Sequence, residues 1–585
     1  MQVRAEDAVS SPRKSLMGTN IAIRYHPDGF DTNVSRLMGR QAAGEGMLRA
    51  WVQHANVTPF ICHADSAAMA RHFAGMVKSF GGDAPTAWIG LETPHLLSGV
   101  GTLLLPGPGV GISAWQRRHT GQRGYSIIGL THTTASANAM DSIVDLLSAP
   151  VQPWDALICT SSAVKTTVQD LWSSHAEYLA QRFGHASDRV LTTPQLPIIP
   201  LGVDTDAYAP NAASRNAWRQ RLGIDQDDRV VLFVGRLSFH AKAHPVPMYQ
   251  ALEAAVKEGR FPSTARVHLI ESGWFANDFI RDAFAEMAAL HCPSVVRHVV
   301  DGRQSDVRTS IWHAADIFCS LSDNIQETFG LTPIEAMAAG LPCVVSDWDG
   351  YKETVRDGID GFRVSTWMPN APLGEDLAQR HANGIDNYDS YCGQACQFVA
   401  VDVAAVSEAF RRLLTEDDLR RRMGAAARER AKTVFDWRHI IAQYQSLATE
   451  LFAIRANESI PESAPLRQGQ PSWPARSDPF RSFGHYPTHN LTLDTLVVAS
   501  DPRGTVHLAA LREGPMVRYA ERALPDIQDC HAFLEMLASH GRPVSAGTLI
   551  NQLPPERRGI AFRGLVWLAK FNQVRLIAPS AGKTS

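Results

Sequence analysis

Two acidic residues stand eight positions apart around a predicted helix start, with Glu327 before it and Glu335 within it. Thr332 is predicted to be the N-cap, because its hydroxyl can accept a backbone amide hydrogen, and Pro333 suits the first helical position. Thr332 and Glu335 also form the Thr-x-x-Glu pattern of a capping box. Gly340, with a proline two residues later, ends the helix. The segment therefore predicts a short helix with one acid in the preceding loop and a second in its first turn.

The start of this helix favours a phosphate. The backbone amides of Gly330, Leu331 and Thr332 would be free near the positive end of the helix dipole. Glu327 can reach groups beyond such a phosphate, and Glu335 can reach groups on its other side. One acid for sugar hydroxyls and one for a ribose would suit a nucleotide sugar. Taken alone, the acids also fit a simpler interpretation, in which Glu335 only caps the helix and Glu327 is an ordinary loop residue.

A longer stretch around the two acids changes the balance. Residues 320–347, SLSDNIQETFGLTPIEAMAAGLPCVVSD, closely resemble the donor-site signature of retaining glycosyltransferases of family four, the glycosyl transferases group 1, which carry Glu-x7-Glu at this place. The resemblance implies the GT-B fold, with two facing Rossmann-like domains. It also implies that Glu327 and the backbone of Phe329–Thr332 hold the donor sugar and that Glu335 holds the ribose. Retention would then involve front-face attack by the acceptor hydroxyl, with Glu327 orienting the sugar rather than acting as nucleophile.

Two cations stand at and after the end of the run Arg229–Arg236, which is predicted to be a strand buried on both faces. Arg236 and Lys242 can bracket a diphosphate from opposite sides, and the resemblance implies that they neutralise the leaving nucleoside diphosphate. The alternative is a surface strand end with scattered charges. Fixed cations and helix amides stabilise charge that develops on the leaving phosphate. With such groups in place, we predict transfer without a metal or any other cofactor.

Three further candidates lie in the first half of the chain. His132 follows the predicted strand Tyr125–Leu130, and the resemblance implies that it bonds the donor sugar or aligns the acceptor; a structural role is the alternative. Gly44 and Gly46 resemble the family's glycine loop, displaced by an insertion of about ten residues. There they would let the backbone approach the diphosphate, although both would also suit ordinary turns.

Length and composition set the broad class. The chain has 585 residues, is 45% hydrophobic and carries a net charge of −3, which suits several domains and argues against a dedicated nucleic-acid binder. No apolar run reaches the roughly 18 residues that a membrane-spanning helix needs. Residues 1–20 lack the apolar core of a secretion signal. Eight scattered cysteines fit a reduced, cytoplasmic protein.

Strand-like runs alternate with helical stretches, which predicts an α/β protein of two Rossmann-like domains followed by a small α+β module. The predicted units are a disordered leader (1–17, with Met17 as an alternative start), an acceptor-side domain (18–200, with a crossing helix at 437–455), a nucleotide-sugar domain (201–436), a linker (456–485) and an accessory module (486–580). Residues 366–400 are polar and are predicted to be an insertion. Asp349 and Glu353 are predicted to be structural.

The accessory module is predicted from short strands, three helices and a last strand, an order that resembles a winged helix. The strands include Val506–Leu511 and Met516–Tyr519. Residues 483–585 hold eleven Lys or Arg against eight Asp or Glu, so their net charge is only +3. This weak charge argues against nucleic-acid binding. It leaves recruitment of a protein or an acceptor, or self-association, as the alternatives.

Three functions therefore compete. The first is a glycosyltransferase acting on a nucleotide sugar and an acceptor hydroxyl. The second is a non-catalytic nucleotide-sugar sensor or scaffold, with its output through the accessory module. The third is a related two-domain enzyme, an epimerase or a phosphorylase, for which no pyridoxal-type lysine motif is recognisable. The intact set of Glu327, Glu335, Arg236 and Lys242 favours the first.

Overall fold

The computed structural model describes residues 20–32, 39–184, 192–259, 265–501 and 503–578, so the predicted leader lies outside the described residues. Residues up to Trp473 form one compact unit, and those from Pro474 form a second. Within the described residues, no helix combines the length and the apolarity that crossing a bilayer requires.

The first domain contains a six-stranded parallel sheet. Its strands are β1 (Asn20–Arg24), β2 (Phe60–Ala64), β3 (Thr86–Gly90), β4 (Gly101–Leu104), β5 (Ser126–Leu130) and β6 (Ala156–Ile158). Their order is β3-β2-β1-β4-β5-β6, and every neighbouring pair is parallel. Four of the strands are buried along their whole length, as expected for a parallel sheet covered on both faces. The order reverses between β1 and β4, which opens a crevice at the carboxyl edge of the sheet.

Helices cover both faces of this sheet. They are α1 (Pro27–Phe30), α2 (Gly39–His54), α3 (Ala67–Ser79), α4 (Leu97–Val100), α5 (Val110–Arg117), α6 (Ala137–Asp145) and α7 (Ser162–Phe183). Serine defines the start of three of them. The hydroxyls of Ser66, Ser136 and Ser161 each accept the backbone amide three residues ahead, which satisfies a donor that the helix itself cannot pair.

The second domain repeats the same architecture. Its strands are β7 (Arg229–Val234), β8 (Val267–Gly273), β9 (Val296–Asp301), β10 (Ile317–Ser320), β11 (Cys343–Ser346) and β12 (Gly361–Val364). Their order is β12-β11-β10-β7-β8-β9, again with parallel pairs. The reversal falls between β10 and β7. The loops that carry Glu327 and Arg236 therefore leave the sheet side by side at its switch point.

The helices of this domain include a pair outside the regular alternation. The α-helices among its described residues are α8 (Ala212–Leu222), α9 (Pro245–Glu258), α10 (Asp278–His291), α11 (Ser305–Ser310), α12 (Leu331–Ala338), α13 (Tyr351–Thr354), α14 (Glu375–Ala382), α15 (Tyr388–Cys396), α16 (Val403–Thr415) and α17 (Asp417–Arg430). The pair is α14 and α15. It lies between two short antiparallel strands, β13 (Thr366–Trp367) and β14 (Ala400–Val401), in the segment predicted to be an insertion.

A last helix, α18 (Trp437–Ala456), returns to the first domain. Its buried side chains, including Trp437 and Tyr444, share one apolar cluster with Ile21, Ile23 and other residues of the first domain. The chain then continues along the same domain, where Arg118 donates to the carbonyls of Ala464 and Ser472 at 3.2 Å each. Two parallel sheets joined in this way confirm the predicted GT-B class for the two α/β domains.

The second unit contains a three-stranded antiparallel sheet and helices. Its elements are α19 (Pro479–Ser482), β15 (Leu496–Ala499), α20 (Gly504–Glu513), α21 (Pro515–Arg518), α22 (Ile527–His540), β16 (Val544–Ser545), α23 (Ala546–Ile550), α24 (Pro555–Lys570) and β17 (Val574–Ile577), with the strands in the order β16-β15-β17.

Two sequence predictions are wrong in this unit. The predicted strands at Val506–Leu511 and Met516–Tyr519 lie in or overlap α20 and α21. A short apolar run has too few residues for its periodicity to distinguish a strand from a helix. Pro515, at the first position of α21, favours the helix there.

Candidate active site

Helix α12 begins at Leu331, two residues earlier than predicted. Gly330, not Thr332, is the N-cap, and it has a φ of +82°. A Cβ atom at this position would lie 2.0 Å from Cε1 of Tyr351, so a side chain has no room. Because glycine can take this left-handed backbone, the chain turns into the helix without a side-chain cap. The amides of the first turn are left unpaired by the helix itself, as an anion site requires.

Glu335 is not a capping-box residue. Its Oε1 accepts a hydrogen bond of 2.9 Å from the hydroxyl of Tyr208, a residue 127 positions away. Burial raises the pKa of Glu335, while Tyr208 and the charges of Lys242 and Arg308 lower it in part. Tyr208 and Arg308 are members of the site that sequence reasoning missed. Neither residue has a local pattern that points to this carboxylate.

Lys242 and Glu327 form an ion pair at the centre of the site. Their side chains are only 19% and 14% exposed. Burial alone would lower the pKa of Lys242, but the Glu327 carboxylate outweighs it and holds that pKa above its ordinary value. The structure therefore brings together Lys242 and Glu327, two residues that the sequence predicts to bind the same nucleotide sugar. Within this pair each charge neutralises the other.

Arg236 lies in the same loop as Lys242. Its guanidinium donates to the carbonyl oxygen of Ala241 at 2.8 Å. The side-chain amide of Gln326, directly before Glu327, donates to the same oxygen. The Ala241 carbonyl thus fixes Arg236 relative to the loop that carries Glu327.

The first domain reaches this loop from the ends of β5 and β6. The hydroxyl of Thr328 donates to the carbonyl of His132 at 3.1 Å, and the hydroxyl of Thr160 donates to the carbonyl of Thr328 at 3.2 Å. His132 also lines a small cavity whose other lining residues, including Phe30, Leu130 and Trp437, are mostly apolar. The structure thus places His132 beside the loop that carries Glu327. Its role on the donor sugar or the acceptor stays a prediction.

The predicted glycine loop is wrong in its geometry. Gly44 and Gly46 lie inside helix α2 rather than in a turn. A Cβ at Gly44 would lie 2.0 Å from the carbonyl oxygen of Gly29, and one at Gly46 would lie 3.5 Å from the Trp437 indole. Gly44 therefore allows close packing of the helix, whereas a Cβ at Gly46 would make an ordinary van der Waals contact. Gly44 also lines the cavity beside His132. The residues immediately before α2, 33–38, lie outside the described residues.

Two acids of the second domain meet the N-terminus of helix α7. Asp349 accepts from the hydroxyl of Ser161 at 3.2 Å, and Glu353 accepts from the backbone amide of Ser162 at 2.6 Å. Carboxylates are stabilised at this end of a helix. Burial, followed by the charge of Glu327, raises the pKa of Asp349 to about 7. These acids were predicted to be structural, and what they hold together is the two domains.

The resulting site has a distinct charge pattern. Arg236 and Lys242 follow β7, and Lys242 pairs with Glu327, which precedes the unpaired amides at the start of α12. The buried carboxylate of Glu335 lies in that helix, and the charge of Lys242 acts on it. Such a region can bind a diphosphate, and its flanking acids can accept hydrogen bonds from hydroxyl groups. The two doubly wound sheets, with the site at the switch point of the second, define the class as a two-domain Rossmann-type GT-B protein.

Comparison with known proteins is consistent with this class. Residues 214–369 match the family model described as glycosyl transferases group 1. This segment contains all four charged residues of the predicted donor site, so the resemblance seen in the sequence is confirmed for the second domain.

Curated relatives match a similar part of the chain. A D-inositol 3-phosphate glycosyltransferase of Xylanimonas cellulosilytica is 28% identical over 224 residues, which is 37% of this chain and 48% of that protein. One from Nocardia farcinica is 31% identical over 193 residues, or 33% of this chain and 40% of that protein. The chain thus spans about half or less of the length of these relatives.

Solved structures match more of the chain at lower identity. HepE of Anabaena, in a crystal structure with UDP and glucose, is 14% identical, with coverage of 74% of this chain and 99% of that one and a TM-score of 0.46. Sucrose-phosphate synthase from Thermosynechococcus elongatus is 18% identical, with coverage of 74% and 99% and a TM-score of 0.45.

Proposed function

We propose that this protein is a retaining, metal-independent glycosyltransferase that moves a sugar from a nucleoside diphosphate sugar to an acceptor hydroxyl. The observation that carries the proposal is the buried Lys242–Glu327 pair, which joins the two loops that leave the second sheet at its switch point. One of these loops carries Arg236, and the other leads into α12. The group 1 family match over the same residues supports it.

The diphosphate would be held by charge and by the backbone. Arg236 and Lys242 would contact the phosphate oxygens, and the first amides of α12 would face the same group. As the bond to the sugar breaks, negative charge grows on the leaving phosphate. Donors fixed in a buried site stabilise that charge more than they stabilise the bound substrate. This is why the chemistry requires no metal of its own.

The two acids would divide the rest of the donor between them. Glu335, fixed by Tyr208, would accept hydrogen bonds from the ribose. Glu327 would turn from Lys242 towards the sugar hydroxyls when the diphosphate takes over the lysine charge. The acceptor hydroxyl would attack from the face of the leaving phosphate, which would take its proton. His132, at the edge of the first domain, would bond the sugar or align the acceptor.

The remaining parts of the proposal concern location and partners. Cytoplasmic location is supported by eight cysteines that are all buried free thiols. The separate C-terminal unit would serve a protein partner or self-association. The names of the curated relatives make D-inositol 3-phosphate the first acceptor to try.

Charge removal at Arg236 tests the proposal. Arg236→Ala should abolish release of the nucleoside diphosphate, because a cation that acts on the leaving group is lost. Arg303→Ala is a matched control, since Arg303 follows the edge strand β9 of the same sheet and pairs only with nearby Asp301 among the described contacts. Activity of Arg236→Ala within a few-fold of the control would contradict the proposal. Wild type that binds donor but releases no product would favour the nucleotide-sugar sensor instead.

A further inference from the structure

The inserted helices α14 and α15 form a structured element. Arg380 of α14 and Asp386 of the loop before α15 make a two-pronged ion pair at 2.7 and 2.9 Å. The rings of His381 and Tyr391 stack with centroids 4.3 Å apart. The Asn387 side chain caps α15 by accepting the amide of Ser390. These contacts fix the start of α15, where Tyr388 is the first residue.

Helix α15 packs directly on the loop between Arg236 and Lys242. A Cβ at Gly393 would lie 2.9 Å from Cβ of His240, so only glycine allows this approach without a shift. One turn on, Sγ of Cys396 lies 3.8 Å from the carbonyl oxygen of Phe239. The insertion therefore supports the loop that carries both cations.

The hydroxyl of Tyr388 lies between the two domains. It donates to Oε1 of Gln326 at 3.3 Å and lies 3.4 Å from the hydroxyl of Thr133, which follows β5 in the first domain. Burial raises the pKa of Tyr388 to about 12, so the phenol keeps its proton. Gln326 in turn shares the Ala241 carbonyl with Arg236. One chain of hydrogen bonds thus runs from the phosphate-side cation to the first domain.

We infer that Tyr388 is a positioning residue for glycosyl transfer. Its hydroxyl joins Gln326, on the loop that carries Glu327, to Thr133 of the first domain. This inference rests on the proposed function. Among the described hydrogen bonds, those of the Tyr388 hydroxyl go to Gln326 and Thr133 and not to Lys242, Glu327 or Glu335, so it would contribute little to donor affinity. Its role is to keep the cations and the first domain in the relative position that the reaction requires, and small displacements of reacting groups are costly.

The test removes one oxygen atom. Tyr388→Phe keeps the ring and loses the hydroxyl. Tyr391→Phe, one turn further along the same helix, is the matched control. Binding of UDP, GDP and ADP is measured by calorimetry, and nucleoside diphosphate release is measured from the corresponding glucose donors. Tyr388→Phe should bind within about twofold of wild type and react about five- to tenfold more slowly, the effect of one neutral hydrogen bond. If Tyr388 served stability alone, Tyr388→Phe would not lower the reaction rate while leaving nucleotide binding unchanged.

A double variant tests the shared bond. If Thr133 and Tyr388 act together, then Thr133→Val should add little to the rate loss of Tyr388→Phe, but its effect should add fully to that of Tyr391→Phe. Fully additive effects on the Tyr388 background would overturn the inference.

Hydrogen exchange tests the link without relying on activity. Amides of residues 131–135 and 326–328 should exchange faster in Tyr388→Phe than in wild type or Tyr391→Phe. Exchange equal to wild type would overturn the positioning role. Failure of wild type to release diphosphate from any donor would instead contradict the proposed function, and the exchange result would still decide the role of Tyr388.

Discussion

Substitutions in the Lys242–Glu327 pair can distinguish its contribution to stability from its contribution to catalysis. Lys242→Met removes the charge and keeps much of the apolar stem, so it leaves the Glu327 carboxylate mostly buried without its partner. Loss of one partner of a fully buried pair costs about 3–5 kcal/mol. Because these side chains keep 19% and 14% exposure, we expect a smaller loss of about 2–4 kcal/mol in the free energy of unfolding.

The double variant Lys242→Met with Glu327→Gln should recover most of that loss. Replacing both charges removes the uncompensated carboxylate, so its free energy of unfolding should return to within about 1–2 kcal/mol of wild type. It should still fail to release nucleoside diphosphate, because the cation that faces the phosphate is gone. Stability would be recovered and activity would not.

Urea unfolding of the full chain, followed by far-UV circular dichroism, measures the stability of each variant. Lys257→Met is the control, since Lys257 pairs with Glu253 at 3.1 Å but its side chain is 67% exposed. The Glu253 side chain is only 10% exposed, but it keeps the hydrogen bonds from the amide and hydroxyl of Ser294 when Lys257 is replaced. We therefore expect Lys257→Met to cost about 0.5 kcal/mol or less. If Lys242→Met lost no more than this control, the account of a buried, mutually compensating pair would be refuted. If the double variant reacted like wild type, Lys242 would not be the phosphate ligand.

Three further predictions follow from single groups. Glu335→Gln should weaken donor binding about ten- to hundredfold in calorimetry, since a hydrogen bond to a charged group is lost. In wild type, Asp323 should lower the free energy of unfolding by up to about 4 kcal/mol as the pH rises from about 4 to 7, because burial raises the pKa of Asp323 to about 7. Asp323→Asn should remove this part of the pH dependence. Gly330→Ala should cost clearly more stability than Gly358→Ala, since both have a positive φ but only Gly330 faces a neighbour, Tyr351, at 2.0 Å.

The sign of the Asp323 effect follows from proton binding. The native carboxyl holds its proton up to about pH 7, whereas in the unfolded chain it ionises near its ordinary value of 3.8. The unfolded state therefore binds fewer protons across this window, and stability falls as pH rises. Unchanged pH dependence in Asp323→Asn would contradict this. Donor binding of Glu335→Gln equal to that of wild type would contradict the prediction for Glu335. Equal losses of stability in Gly330→Ala and Gly358→Ala would contradict the prediction for Gly330.

The local parts of the site could be predicted from sequence. The helix at α12, with its proline near the start and glycine at the end, follows from short-range rules, and so does the strand that ends before Arg236. Because carboxyl ends of parallel strands meet at one edge, the approach of Lys242 to Glu327 follows from the fold class.

Long-range partners could not be predicted. Tyr208 and Glu335 are 127 positions apart, and Tyr388 and Thr133 are 255 apart, so no local periodicity links them. The prediction of a glycine loop at Gly44 and Gly46 was wrong for another reason. Clustered glycines predict a flexible turn, but here tertiary packing against Gly29 and Trp437 outweighs their low helix propensity.

Release of nucleoside diphosphate tests the central claim most directly. Wild-type protein is incubated in EDTA with UDP-, GDP-, ADP- and dTDP-glucose, with and without D-inositol 3-phosphate, and the freed diphosphate is quantified. The account predicts that at least one donor is cleaved in EDTA by wild type and by Arg303→Ala, and not by Arg236→Ala. Cleavage that requires an added metal would contradict the proposed mechanism. Cleavage that is unaffected by Arg236→Ala would contradict the assignment of the site.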